Sequence, residues 1–489
     1  MVVASVQSGE RKSPMIPSSS TIENTDHLQR RIGLRSAVAL NMLEMIGVGP
    51  FITLPLVIAA AGVHLSVWAW LLGAVIAIAD GLVWAELGAA FPRAGGSYAF
   101  LREIYGPERA GNWLSFLYVW QLSFSAPLSI ASGCIGLSSF LAWFWPGLER
   151  APIAALPQLH FANFAAAGAC LLVTALLYRN LSAITRLAWI LFAGVLTAIA
   201  GVIVSGFASA AIHGGWHMPA SPAHGAALAV AGLAQATLIT TYDYWGYYNI
   251  CFLGSEVRQP ERTIPRAILL SVVFVSAMYV AMNMAALPAV RQAAGSAAQS
   301  AVSHLQLVAE IAHSAFGAWA GSLMAALVMW TAFASVFSLL LGYSRVPYAA
   351  ARDGNYFRFL AAVHPRHHIP HRSLIALGVV ATAFCFLSLA QVITTLVITR
   401  ILLQFFLQQF GVILLRIQRP ELPRPFRIPL YPLPPIVAIA GFLFILANRA
   451  HAIEGLAVAA GIGISGTIIY LFRARELREW PFAGAESIR

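Results

Sequence analysis

Two short stretches of the sequence place a carboxylate beside glycines inside a long apolar run. The first is LEMIGVGPFITLP (43–55), in which Glu44 lies one turn before the glycines. The second is TYDYWGYYN (241–249), in which Asp243 lies near the start. A carboxylate there can attract an ammonium group or carry a coupling proton, because an acid at membrane depth is costly unless it faces water or a partner. The alternative is that each acid only forms a hydrogen bond inside a helix bundle.

Glycine and proline in the first stretch, and polar and aromatic residues around Gly246 in the second, predict that both helices are interrupted. Pro50 removes a backbone donor, and Gly47 and Gly49 let a ligand approach the chain closely. An interrupted helix offers a positive dipole end to a carboxylate and free carbonyls to a cation, so a zwitterion such as an amino acid fits both poles. Close helix packing alone explains the two glycines equally well. The second interruption, around Gly246, favours a binding site.

The second stretch is crowded with aromatic side chains. Aromatic faces suit the side chain of a substrate and attract cations, whereas an aromatic belt at the membrane interface explains two or three such residues. The aromatic residues are Tyr242, Tyr244, Trp245, Tyr247 and Tyr248.

Hydroxyl groups on one face of a later helix suggest a second kind of ion site. Thr331, Ser335 and Ser338 share that face and could ligate sodium beside the first interruption. Serine and threonine in helices more often bond their own backbone. We therefore expect Glu44 and Asp243 to carry a coupling proton, with sodium at Thr331 and Ser335 as the alternative.

Acids and arginines near the predicted cytoplasmic ends could form the salt bridges of an inner gate. A purely structural role for them is equally compatible with the sequence. The acids are Asp80, Glu86 and Glu256, and their expected partners are Arg93, Arg102 or Arg258.

Neither histidine nor cysteine usage predicts a cofactor or metal. The histidines of HPRHHIPHR, from His364 to His371, lie in a basic loop without cysteine or acidic neighbours. The four cysteines fall within predicted helices and show no disulfide or metal spacing.

The elements that must position these residues are membrane-spanning helices. The chain has 489 residues, of which 59% are hydrophobic and 10% charged, with a mean hydropathy of +0.75. Apolar runs of about 20 residues predict spanning helices. We predict twelve: 36–61, 65–90, 112–143, 161–178, 184–208, 226–254, 264–288, 318–343, 373–390, 394–415, 434–448 and 453–472.

The distribution of charge predicts the orientation. With the N-terminus inside, 26 of the 30 lysines and arginines lie in cytoplasmic segments, 3 lie outside, and Arg400 lies within a helix. This asymmetry follows the positive-inside rule and argues against nucleic acid as the reason for the net charge of +11. Both termini are expected in the cytoplasm.

The spacing of the two interruptions predicts an all-α polytopic fold with internal repeats. They lie five helices apart, as in transporters whose inverted repeats hold a substrate at the midplane. We expect repeats at about 36–208 and 226–415, two appended helices at 434–472, and one transmembrane domain over 31–473. Residues 1–30 lack the apolar centre of a signal peptide and are predicted to be a disordered cytoplasmic tail, with a second tail at 474–489.

Four motifs resemble the amino acid–polyamine–organocation superfamily of secondary transporters, over about residues 30 to 430. They are IGVGPF, AELGAAFPRAGGSYAFLREIYGPE, GSEVRQPERTIPRAI and SRVPYAAARDG. The L-type amino acid and polyamine–proton symporter branches are the most similar. The resemblance implies the leucine-transporter fold, with a substrate held at the unwound parts of helices 1 and 6. By motif, the substrate-binding residues would be Ile46, Gly47, Val48, Gly49, Pro50, Tyr242, Asp243, Trp245, Gly246 and Tyr247.

Two departures from the superfamily pattern qualify the resemblance. Val195 falls where some members carry a proton-responsive lysine in helix 5, so another group, Glu44 or Asp243, would have to carry the proton. Residues 145–160 lack the cysteine that links the animal heteromeric members to a partner, so no disulfide-linked subunit is expected.

The expected function is amino acid transport across the inner (plasma) membrane by alternating access, as a proton symporter. The partners implied are a small amine substrate, a proton and membrane lipid. A polyamine–proton symporter is the alternative within this class, and a membrane-embedded enzyme such as an acyltransferase, or a channel, are alternatives of other classes.

Overall fold

The computed structural model describes residues 28, 30–150, 159–179, 181–213, 226–295, 306–387, 400–448 and 452–482. Across those ranges the chain is mostly helical and forms no strand, only two isolated β-bridges. The helices are α1 (Leu34–Met45), α2 (Gly49–Ala90), α3 (Ser97–Tyr105), α4 (Gly111–Leu141), α5 (Phe161–Leu177), α6 (Leu181–His213), α7 (Ala226–Tyr244), α8 (Asn249–Phe252), α9 (Pro260–Gly295), α10 (Leu307–Phe316), α11 (Ala318–Tyr343), α12 (Arg345–Arg352), α13 (His371–Phe384), α14 (Leu407–Gln418), α15 (Leu433–Ala447) and α16 (Ala452–Leu477).

Seven helical segments of the described chain are long and apolar enough to cross a membrane. They are Gly49–Ala90, Ser97–Leu141, Ile184–Ile212, Pro260–Pro288, Ala318–Arg352, Ile401–Gln418 and Gly455–Leu477. Four shorter apolar helices, α5, α10, α13 and α15, accompany them. This content fits a polytopic membrane protein, whereas the count of twelve spans and the repeat remain predictions.

Several predicted boundaries differ from the structure. The helix α2 is interrupted at Gly62, whose φ of 72° lies in the left-handed region, so it holds the end of the first predicted span and the whole of the second. The helix α16 continues to Leu477, so the first residues of the tail predicted at 474–489 are helical. Residues 1–27 and 29, most of the predicted N-terminal tail, lie outside the described residues, as do 388–399 at the junction of two predicted spans.

Both predicted interruptions are present. The helix α1 ends at Met45, Ile46 leaves helical geometry with a ψ of 68°, and α2 begins at Gly49. The helix α7 ends at Tyr244 and α8 begins at Asn249. Between them Gly246 has a φ of 124°, a conformation that side chains with a Cβ rarely adopt.

The two interruptions pack directly against each other. A Cβ on Gly246 would lie 2.8 Å from Cγ of Glu44, so only glycine allows this approach. Asn41 of α1 bridges the second interruption, since its amide donates to the carbonyl of Tyr247 (2.6 Å) and its oxygen accepts from the N–H of Ile250 (2.9 Å). These bonds satisfy buried backbone groups that the interruption frees.

Neighbouring helices hold the paired interruptions in place. The helix α2 packs along α7 and α9, α4 packs along α11, and α1 lies against α9 and α11. Tyr248 stacks on Trp84 of α2 with ring centres 4.6 Å apart. The two interruptions therefore lie buried among packed helices.

Candidate functional site

A cavity of about 100 Å³ lies between the two interruptions. It combines two carboxylates, one guanidinium, several hydroxyls and aromatic rings in a largely apolar surrounding. The lining residues are Glu44, Met45, Gly47, Val48, Gly49, Pro50, Ile52, Thr53, Ser129, Ser132, Gly133, Tyr242, Asp243, Trp245, Tyr248, Ser335, Leu339, Tyr343 and Arg400.

Side chains from α9 and α11 stabilise the carbonyl end of α1 beside the cavity. The hydroxyl of Tyr279 donates to the carbonyl of Met45 (2.7 Å) and also reaches that of Asp243 (3.2 Å), so it ties one interruption to the other. Ser338 donates to the carbonyl of Leu40 (2.8 Å), and Ser335 to that of Glu44 (3.4 Å). The carbonyls that follow a helix end are thereby paired although they lie away from water.

The start of α2 forms the opposite pole of the cavity. Gly49 is its first residue and Pro50, which has no N–H, is the second. The N–H groups of Phe51 and Ile52 both donate to the carbonyl of Val48 (3.2 Å), which leaves the N–H of Gly49 as the donor at the helix start. The positive end of a helix dipole favours an anionic group such as a carboxylate.

Asp243 lies against this helix start. It is 3% exposed, and its Oδ2 accepts a short hydrogen bond from the hydroxyl of Thr53, while its Oδ1 has no partner. A Cβ on Gly49 would lie 2.6 Å from that Oδ1. The chain thus approaches the carboxylate as closely as glycine permits.

Glu44 lies at the end of α1 with an unpaired oxygen. Its side chain is 6% exposed and its Oε2 has no hydrogen-bond partner. Buried polar atoms are nearly always paired in folded proteins, so unpaired ones around a cavity point to a ligand or a bound proton. Trp245 Nε1 and the hydroxyls of Tyr248 and Tyr343 are also unpaired.

Aromatic rings form one wall of the cavity. Trp245 packs on Phe405 with ring centres 5.1 Å apart and on Tyr242 at 5.6 Å. Tyr248 contacts Phe405 as well, at 5.9 Å. This wall can hold the apolar part of a ligand while the polar edges of the rings face the cavity.

Arg400 is a functional candidate that the sequence analysis passed over. It is 2% exposed and lines the cavity from the segment before the π-helical turn Ile401–Phe406. Its Nη2 donates to the carbonyl of Ser125 (3.3 Å), and its guanidinium lies 5.0 Å from the ring centre of Tyr343. The sequence feature that could have identified Arg400 is its position as a basic residue inside a predicted membrane span.

The structure brings most of the predicted binding residues to the cavity. Gly47, Val48, Gly49, Pro50, Tyr242, Asp243 and Trp245 line it. Ile46, Gly246 and Tyr247 do not, because the two interruptions bury them against each other and against α2. The hydroxyl of Tyr247 instead donates to Asp80, which also accepts a bond from Gln409.

The two residues proposed for sodium differ in position. Ser335 lines the cavity, whereas Thr331 is absent from the lining and donates to the carbonyl of Leu327 in its own helix (2.8 Å). Such a bond to the residue four positions earlier is the common use of threonine in helices.

The expected salt-bridge partners near the cytoplasmic ends are wrong. Glu86 pairs with Arg416 and with Arg424 (3.4 Å), not with Arg93. Glu256 pairs with Arg345 at 2.7 Å, and both side chains are buried. Packing brings the end of α2 to Arg416 of α14, and the 3-10 turn Gly254–Glu256 to the start of α12, over sequence separations that local motifs do not reveal.

The arginines expected to pair with these acids have other contacts. Arg93 pairs with Glu103 (3.2 Å) at the surface, and Arg102 pairs with Asp353 (2.7 Å). Arg258 donates to the carbonyl of Arg30 (3.5 Å). Asp80 bonds a tyrosine and a glutamine, so the salt bridge expected for it is also wrong.

The histidine loop forms a ring cluster at the surface. His364 stacks on His367 with ring centres 4.5 Å apart, and both lie near Tyr178. In the part of the chain that the structure describes, no group of three or more His, Cys, Asp or Glu side chains is arranged to hold a metal ion.

Comparison with known proteins gives consistent matches to one group. The profile of the family described as amino acid permease matches residues 32–472. An uncharacterized transporter of Mycobacterium bovis is 31% identical over 73% of this chain and 74% of its own length. The serine/threonine exchanger SteT of Bacillus subtilis is 26% identical over 91% of this chain and 96% of its own length. The human b(0,+)-type amino acid transporter 1 is 26% identical over 86% of this chain and 83% of its own length.

Proposed function

The chain belongs to the amino acid permease family of integral membrane proteins, and we propose that it is a secondary active transporter that moves amino acids across the plasma (inner) membrane by alternating access. The observation that carries the proposal is the cavity at the paired interruptions, which is lined by the start of α2 and by two carboxylates that each keep an unpaired oxygen. Relatives named as amino acid transporters support transport over the membrane-embedded enzyme or channel.

In the proposed binding mode the two poles hold the two charges of one amino acid. The substrate carboxylate lies at the start of α2, near the N–H of Gly49 and the positive end of the helix dipole. The ammonium group lies between Asp243 and Glu44, each of which has an unpaired oxygen. The aromatic wall around Trp245 receives the side chain. Ile46, Gly246 and Tyr247 then act by shaping the interruptions.

We further propose that transport is coupled to protons through Glu44 or Asp243. A substrate cation and a proton together neutralise the buried acids, and this lowers the electrostatic cost of moving the loaded site across the membrane. The bond of Thr331 to its own helix weakens the sodium alternative. The name of the Bacillus subtilis relative supports exchange as the competing mode of transport.

The proposed transport cycle uses ten of the predicted twelve spans as two inverted five-helix repeats, with two appended helices and both termini in the cytoplasm. One group of helices rocks against the other around the fixed site. The buried pair of Glu256 with Arg345 and the cluster of Glu86 with Arg416 and Arg424 are our candidates for the inner gate, in place of Arg93 and Arg258.

A polyamine–proton symporter is the second candidate. Two cavity carboxylates with unpaired oxygens suit a substrate with several amines. The guanidinium of Arg400 in the same cavity weighs against this candidate, because it repels a further cation.

Uptake by purified protein in liposomes tests the proposal. We expect saturable uptake of labelled amino acids that rises when the outside is made acidic, without sodium and without amino acid inside. Uptake that requires internal amino acid and ignores the pH gradient would show exchange. Competition by putrescine or spermidine, with none by amino acids, would establish the polyamine alternative.

A further inference from the structure

Arg400 is the one basic side chain among the described residues that line the cavity. A charged side chain within a membrane-spanning segment costs at least a few kcal/mol, so its retention at a cavity points to a role there. Its surroundings show what that role can be.

The guanidinium is held by weak contacts and has no direct ion-pair partner. Its Nε and Nη2 lie 3.4 and 3.3 Å from the Oγ and the carbonyl oxygen of Ser125. Tyr343 supplies an aromatic face 5.0 Å away. Among the described carboxylates none lies within ion-pair distance of it, although Glu44 interacts with it electrostatically across the cavity.

The charges around the cavity therefore do not cancel. Glu44 and Asp243 contribute up to two negative charges, and Arg400 contributes one positive charge. With both acids ionised, one negative charge is left over; a coupling proton offsets it, and a zwitterionic amino acid then adds no net charge to the cavity. Without the guanidinium the cavity would suit two cationic groups.

Arg400 also carries donors that a substrate can use. A guanidinium presents its N–H groups in a planar fork that matches a carboxylate. A second ammonium group on the substrate would meet it inside a poorly screened cavity, where like charges cost several kcal/mol.

We propose that Arg400 is a specificity-determining residue: its guanidinium offsets one carboxylate of the cavity and repels a second cation on the substrate, so that the site accepts amino acids with uncharged side chains and rejects diamines and dibasic amino acids. This inference rests on the proposed transport of amino acids and names the substrate class of that same site.

Competition against uptake of a labelled neutral amino acid, in proteoliposomes, tests the inference. Wild type, Arg400→Gln and Arg400→Lys are compared with alanine, lysine and putrescine as competitors. For wild type and Arg400→Lys we expect inhibition by alanine at concentrations at least about tenfold lower than by lysine or putrescine. For Arg400→Gln we expect that ratio to fall by about tenfold or more, because the repulsion is gone while both acids remain.

The outcomes separate the two proposals. Failure of wild type to transport any amino acid contradicts the proposed function itself. Wild-type transport in which lysine competes as well as alanine overturns the inference alone, as does an unchanged ratio in Arg400→Gln. If Arg400→Gln gives no monodisperse protein on size-exclusion chromatography, the wild-type competition decides.

Discussion

Gly49 and Asp243 show how little space separates the two interruptions. A Cβ at position 49 would lie 2.6 Å from Asp243 Oδ1, on a carboxylate whose other oxygen, Oδ2, accepts a short hydrogen bond from the hydroxyl of Thr53. The start of α2 and the carboxylate of Asp243 therefore lie in close contact. A side chain larger than glycine at position 49 would have to displace that carboxylate.

We expect Gly49→Ala to raise the KM for amino acid uptake by about tenfold or more, because the methyl group displaces Asp243 by a distance that hydrogen bonds to charged groups do not tolerate. Uptake kinetics in proteoliposomes measure this. Gly461→Ala is the matched control, since a Cβ there meets no atom within 4 Å and its helix gains from alanine. Equal KM values for both variants would show that the close approach is unimportant.

At the level of single residues the sequence predicted the acids better than their partners. Glu44, Asp243 and the adjoining glycines stand out because charges and helix breakers are rare inside apolar runs. Arg400 has the same property, but it lies hundreds of residues from Glu44, and only packing shows that both reach one cavity. The partners of Glu86 and Glu256 were missed for the same reason, because nearby arginines are no guide to tertiary contacts.

At the scale of elements, α9 is the support that joins both interruptions. Tyr279 donates to the carbonyl of Met45 at one interruption and contacts that of Asp243 at the other. Asn41 forms a comparable bridge from α1. The first interruption could be predicted from its glycines and proline and the second from the polar and aromatic residues around Gly246, whereas these bridging side chains look like ordinary polar residues in apolar helices.

We expect Tyr279→Phe to lower the free energy of unfolding by about 1–3 kcal/mol, because a buried carbonyl loses its donor, and to raise KM as the interruptions loosen. Thermal unfolding in detergent and uptake kinetics measure the two effects. Tyr470→Phe removes a comparable bond, to the carbonyl of Trp480 at 2.9 Å, far along α16. We expect it to lower stability without changing KM. A Tyr279→Phe variant with wild-type KM would contradict a coupling role for this hydroxyl.

Short helices mark the limit of prediction at this scale. The helices α3, α10 and α12 have 9, 10 and 8 residues, too few for a hydropathy window tuned to spanning segments. The structure places them at the ends of longer helices, where packing rather than length stabilises them.

At the scale of the whole molecule, buried ion pairs connect distant parts of the chain. Arg345 at the start of α12 reaches Glu256 at 2.7 Å, and the arginine donates further to the carbonyl of Leu341 (2.9 Å). Removal of one partner leaves an uncompensated buried charge.

We expect Glu256→Gln to destabilise the protein by about 3–5 kcal/mol, whereas Arg93→Ala, which removes a largely exposed pair with Glu103, should change stability by less than about 1 kcal/mol. Unfolding temperatures of the two variants in detergent make the comparison. If Glu256→Gln unfolds at the same temperature as wild type, the buried pair of Glu256 with Arg345 does not stabilise the folded protein.

The predicted orientation applies to the whole molecule as well. Because the excess of arginine lies in segments assigned to the cytoplasm, we expect reporters fused to either terminus to be active only if they function in the cytoplasm. Activity of an external reporter at one terminus would contradict an even number of spans.

The central claim is that an amino acid binds between the two interruptions and that their acids couple its movement to protons. Uptake of a labelled neutral amino acid into proteoliposomes, with and without an acidic exterior, tests it on wild type, Glu44→Gln, Asp243→Asn and the exposed control Glu421→Gln. We predict that the gradient stimulates wild type and the control, and that at least one cavity variant loses about tenfold or more of this uptake. Full, gradient-driven uptake by both Glu44→Gln and Asp243→Asn would contradict the account.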